Sequence, residues 1–107
     1  MVYIDGFVLA VPTANKQKFI AHATKFDSMF IEHGATRVVE CWGADVPKGN
    51  TTDFQGAVQA KEDETVAFSW IEMMSDGNMK PPEGMEMPFD MKRMVYGGFT
   101  RVVTLGK

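Results

Sequence analysis

The sequence predicts an α+β domain laid out as βαββαβ. Three observations carry that expectation. An apolar run at residues 2–11 is rich in Val, Ile, Phe and Tyr, as a buried strand requires. Phe19, Ala23, Phe26 and Phe30 then recur at helical spacing, with Ile20 beside them. Further β-rich runs follow at residues 36–46, 65–71 and 93–105. At 107 residues the chain suits one domain, residues 1–107. Its 45% apolar and 23% charged residues are those of a globular protein, not of a disordered one.

Taken in order, Pro12 ends the first strand, and Thr13 or Asn15 can cap the helix that follows. His33-Gly34 closes that helix, with glycine free to take the left-handed position. Residues 36–46 (TRVVECWGADV) form the second strand, and Pro47-Lys48-Gly49-Asn50 a turn. Phe54, Gly56, Val58 and Ala60 alternate, which predicts a short third strand over residues 53–60. Lys61-Glu62-Asp63-Glu64 is read as a solvated turn. Residues 65–71 (TVAFSWI) are a strand, and residues 93–105 the last one. Between them a second helix is wanted to cover the sheet. Residues 73–80 allow about two turns at most, and Pro81-Pro82, Gly84 and Pro88 then exclude regular structure. The second helix is a stub.

Fourteen acids against eleven bases leave a net charge of −3, which argues against a nucleic-acid partner. No stretch approaches the ~18 apolar residues of a membrane span, and the first residues lack the basic start of a signal peptide. The single cysteine, Cys41, allows no intrachain disulfide. A cytoplasmic home is the expectation. His22 and His33 stand ~16 Å apart on one helix and cannot share a metal. With no HExxH or CxxC, no metal or other cofactor is expected. Seven of the nine methionines lie between Met73 and Met94. Lacking His or Cys neighbours, they read as flexible apolar filling, not a copper box.

Glu40 and Trp42 hold the most chemical promise. Positions i and i+2 of a strand point the same way, so an acid stands beside an indole on one face, with Val38 and Ala44. Such a carboxylate either points to solvent or faces an enclosed site, where desolvation would raise its pKa, and packing in the core or at a dimer interface is the competing reading of this face. Ser69 and Trp70 point to opposite faces of their strand, and no GxSxG elbow makes Ser69 a nucleophile.

Four strings then point to a family: YIDGFVLAVP, GATRVVECWGADVPKGNTTDF, VAFSWIE and MPFDMKRMVYGGF. Together they resemble the YbaA-like proteins, small bacterial proteins of uncharacterised function, over nearly the whole chain. The resemblance implies a ferredoxin-like βαββαβ fold of the dimeric α/β-barrel superfamily, with an antiparallel sheet, helices on one face and two sheets packed in a homodimer. That superfamily includes cofactor-free monooxygenases, haem-degrading enzymes, lactone isomerases and stress-responsive proteins, so fold alone selects no activity. Family members carry a fuller second helix; here Glu72 runs straight into Met73-Met74, and roughly a dozen residues are absent, enough for a helix of ~18 Å. The chain is either truly shortened there or a mobile stretch has been passed over, and the second is preferred because loss of a core helix should be ruinous. The functional expectation is a small-molecule binder or cofactor-free enzyme using a cavity between sheet and helices. Glu40 is its base or polar anchor, Trp42 and Trp70 are its walls, and Arg93 is an anion-pairing group. The alternative is a non-catalytic, stress-associated or interaction dimer.

Overall fold

A computed structural model describes residues 3–73 and 87–106. The elements are β1 (Tyr3–Pro12), α1 (Lys16–Glu32), β2 (Ala35–Trp42), α2 (Phe54–Ala57), β3 (Glu64–Met73) and β4 (Val95–Thr100). Single 3-10 turns occupy Thr13–Asn15 and Met91–Arg93. The four strands make one antiparallel sheet in the order β2-β3-β1-β4. The protein is therefore α+β, as its sequence predicts, with one long helix among the described residues.

The most apolar strands, β1 and β3, take the two central places, and their register runs from Tyr3 opposite Met73 to Pro12 opposite Glu64. Phe7, Leu9 and Val11 share one face with Ala67, Ser69 and Ile71 of β3 and with Val38, Glu40 and Trp42 of β2. The helix α1 lies on this face. Its predicted stripe makes the contact: Phe19 packs with Leu9, Val11 and Ala67, while Phe30 packs with Ala35, Ile71 and Met73. The other face is only partly covered. Ala10, Val66 and Val58 form a small buried group there, but Phe68 remains 43% and Phe99 61% exposed.

Several boundaries differ from the sequence expectation. Residues 53–60 hold one turn of helix, α2, instead of a strand. The Asp53 carboxylate accepts from Gly56 N at 2.6 Å and from Gly49 N at 3.2 Å, and this local capping outweighs the alternation. Val58 still reaches the core, fully buried. Strand β2 stops at Trp42 and not at Val46, because after Gly43 N donates to the Val66 carbonyl the chain bends away. Strand β4 stops at Thr100, which lies opposite Tyr3; beyond it residues 101–106 have no described partner strand.

At the start of α1 neither candidate cap acts as one. Asn15 makes no side-chain cap bond and donates instead to the Pro88 carbonyl, while the Thr13 hydroxyl meets that of Thr65 at 2.7 Å. Gly34 does close the helix, at φ +110°. The expected helical stub falls almost wholly in residues 74–86, outside the described residues. Strand β3 itself is continuous through Glu72, opposite Ile4, and Met73, opposite Tyr3.

Candidate functional site

Between α1 and the sheet lies a cavity of about 780 Å³. That volume is within the usual range for small-molecule pockets. The strand period and the helix period together build it. Odd positions of β1 bring Tyr3, Asp5 and Phe7 to its floor, and Ser69 and Ile71 enter from β3. Residues one turn apart on α1 form the roof: His22, Phe26 and Phe30, with Ala23 and Asp27 beside them. Met87, Phe89, Met91 and Met94 line it from the segment before β4. Tyr3 can lie across β4 because Gly98 has no side chain; a Cβ there would collide with the Tyr3 ring and hydroxyl.

The walls are aromatic, and the rings hold one another. His22 stacks on Phe26 with centroids 5.4 Å apart and meets Phe89 edge-on at 6.2 Å. Phe26 meets Phe30 in a T at 5.0 Å, and Phe7 stacks on Tyr96 at 6.4 Å.

Polar chemistry gathers at one point of this wall. Glu40, from β2, interacts electrostatically with Asp27, from α1, and with the buried Ser69 of β3. Desolvation by the walls raises the Glu40 pKa to about 8, helped by the nearby Asp27 carboxyl. Ser69 opposes the rise. Asp27 is also raised by burial, while Glu40 holds it down. Both carboxyls are thus pushed toward holding a proton, Glu40 the more strongly. Glu40 is a solvent-accessible residue of the edge strand β2 and also lines the cavity. His22 is shifted the other way: burial lowers its pKa and favours the neutral ring.

Of the four residues singled out in sequence, Glu40 lines this cavity. Trp42 shares its face but sits at the end of the core, against Phe19 at 5.8 Å and beneath the Lys16 ammonium. Trp70 is not a wall of this cavity: it projects from the opposite face, where its indole donates to Glu72 at 3.0 Å. Arg93 is not an open anion-pairing group. Its guanidinium grips Glu64 with two bonds of 2.8 and 2.7 Å, and it also reaches Asp90 and the Gln59 carbonyl. This grip takes Glu64 out of the expected solvated turn and holds its carboxyl down at about 2. The four are therefore not brought together.

Asp27 is the partner that sequence reasoning missed, and its signal was available. It stands four residues after Ala23 and next to Phe26, so it is an acid set inside the apolar stripe. Asp5 carries the same signal, alternating with Phe7 and Leu9 on the inward side of β1. Among the described residues no cluster of three His, Cys, Asp or Glu side chains is arranged to hold a metal ion. None of the described helices is long and apolar enough to cross a membrane.

Fold and site together define a small α+β protein with an aromatic cavity and a carboxyl pair. The chain belongs to the family described as proteins of unknown function, DUF1428, which matches residues 2–91. It is similar to the uncharacterized protein YbaA of Escherichia coli strain K12, at 49% identity over 116 aligned residues, covering 96% of this chain and 98% of that protein. The YbaA proteins of Escherichia coli O157:H7 and Shigella flexneri match equally well. An alignment of 116 positions exceeds the 107 residues available here, so these relatives carry residues that this chain lacks.

Proposed function

We propose that the protein binds a small, largely apolar molecule in the cavity between α1 and the sheet. Glu40 serves as the polar anchor and, in a catalytic reading, as the proton-transferring group. The observation that carries this is the Asp27–Glu40 pair inside an aromatic-walled space. A proton held on Glu40 would let the pair both donate to and accept from a bound hydroxyl or carbonyl. A structural salt bridge would not place two acids together in a water-accessible hollow.

The strand order β2-β3-β1-β4 supports a ferredoxin-like plan for a single domain. The half-covered face, with Phe68, Trp70 and Phe99, supports a homodimer closed sheet to sheet as a dimeric α/β barrel. In that arrangement Trp70 acts at the subunit contact. The same apolar face favours the second reading, an interaction dimer without catalysis.

A thermal-shift panel of aromatic and quinone-like compounds tests the binding proposal. At least one should raise the melting temperature of the native protein and fail to raise that of Glu40→Gln by the same amount. A panel that leaves the native protein unmoved favours the interaction dimer.

A further inference from the structure

The cavity is lopsided in charge as well as rich in rings. Asp27 and Glu40 bring two carboxyl groups together in its lining, and among the described lining residues there is no lysine or arginine. Among the described residues, Arg93 holds Glu64 and Asp90, and Lys16 lies over Trp42. Ring faces, which present negative charge density, make up much of the remaining surface. An anionic guest would meet repulsion from the charge of this pair, and none of the described lining residues is a lysine or arginine that could offset it. A wholly apolar guest would desolvate the pair further and leave its oxygens unpaired. A cation with an apolar body meets both surfaces favourably.

We infer that the cavity takes an organic amine in its ammonium form, with the charged head at Glu40 and Asp27 and an aromatic or aliphatic body against Phe7, Phe26 and Tyr96. This rests on the proposed reading of the cavity as a ligand site and narrows its ligand class. Seating the ammonium displaces the proton held on Glu40, which passes to solvent. The other titratable groups facing the pair's cavity are Asp5 and Tyr3 from β1, His22 from α1 and Tyr96 from β4. Partial burial lowers the His22 pKa and favours its neutral ring, stacked on Phe26.

Three probes of nearly equal size separate the possibilities: phenethylamine, 2-phenylethanol and 3-phenylpropionate. Each is titrated into the native protein by calorimetry at pH 7, in two buffers of different ionisation enthalpy. The amine should bind about tenfold tighter than the alcohol or more, as a charge-assisted bond warrants, and should release protons. The propionate should bind weakest. In Asp27→Asn/Glu40→Gln, checked first for a native melting transition, the alcohol should still bind and the preference for the amine should vanish. If that double variant fails to fold, Glu40→Gln alone should show the reduced preference and no proton release. Equal or tighter binding of the alcohol or the propionate overturns the amine inference and leaves the binding site standing. Binding of none of the three at millimolar concentration overturns both.

Discussion

Glu40 shows how one side chain acquires a chemical property from its neighbours. A glutamate in a strand ordinarily ionises near 4.5; here the aromatic walls and Asp27 move it to about 8. Between those values the folded protein holds a proton that the unfolded chain has released. Glu40 therefore makes stability fall as pH rises from about 4.5 to 8, the stabilising contribution being complete only below that window. Glu40→Gln should flatten this slope, so the variant should melt above the native protein at pH 8 and show no such advantage at pH 4. Melting curves across the range check it. Glu64 behaves oppositely. Its carboxyl is held at about 2 by Arg93, so its contribution is full above 4.5 and is lost as pH falls toward 2. Glu64→Gln should lower stability at pH 7 and remove part of the acid sensitivity. A native-like acid transition in that variant would show that the Arg93 pair contributes little to stability.

Among the elements, α1 and the central strands were the most legible in sequence, because their periods are long and unbroken. The stripe Phe19, Ala23, Phe26, Phe30 identified both the helix and the face it buries. Leu9, 3% exposed between α1 and β3, should accordingly cost about 2–5 kcal/mol when replaced by alanine, measured by denaturant unfolding. Short elements were misread where a side chain competes with the backbone pattern. Four alternating residues predicted a strand at 53–60, yet one carboxylate, Asp53, bonding two backbone donors, turns the segment into helix. Asp53→Ala should cost about 1 kcal/mol through the lost cap. The site was legible by half. Face parity correctly set Glu40 beside Trp42, but the pairing of Glu40 with Asp27 joins β2 to α1, and a local pattern says nothing of such cross-element distances. Arg93 misled for the same reason, since its partner Glu64 lies 29 residues away.

At the scale of the whole molecule, the two faces of the sheet divide the work. One is closed by α1 and holds the cavity; the other leaves Phe68 and Phe99 to solvent in a single copy. Sedimentation should give twice the 11.9 kDa of one chain. Phe99→Glu should return the protein to a monomer without emptying the cavity side of its core, since Phe99 lies over Gly6 and Gly97 on the open face. A native protein that sediments as 11.9 kDa would refute sheet-to-sheet closure. Trp70, expected from the linear sequence as a pocket wall, lies on that open face, which in the proposed dimer would meet the second copy.

The grip of Arg93 on Glu64 has a kinetic consequence. It ties the segment bearing Phe89, Met91 and Met94 to the start of β3, and that segment is one rim of the cavity. For a ligand bound as proposed, a rim pinned before and after binding would add little to affinity but slow passage past it. Releasing it with Arg93→Ala should therefore raise the association and dissociation rates of a bound molecule together, with Kd nearly constant, so that residence time is governed by an ion pair that never touches the guest.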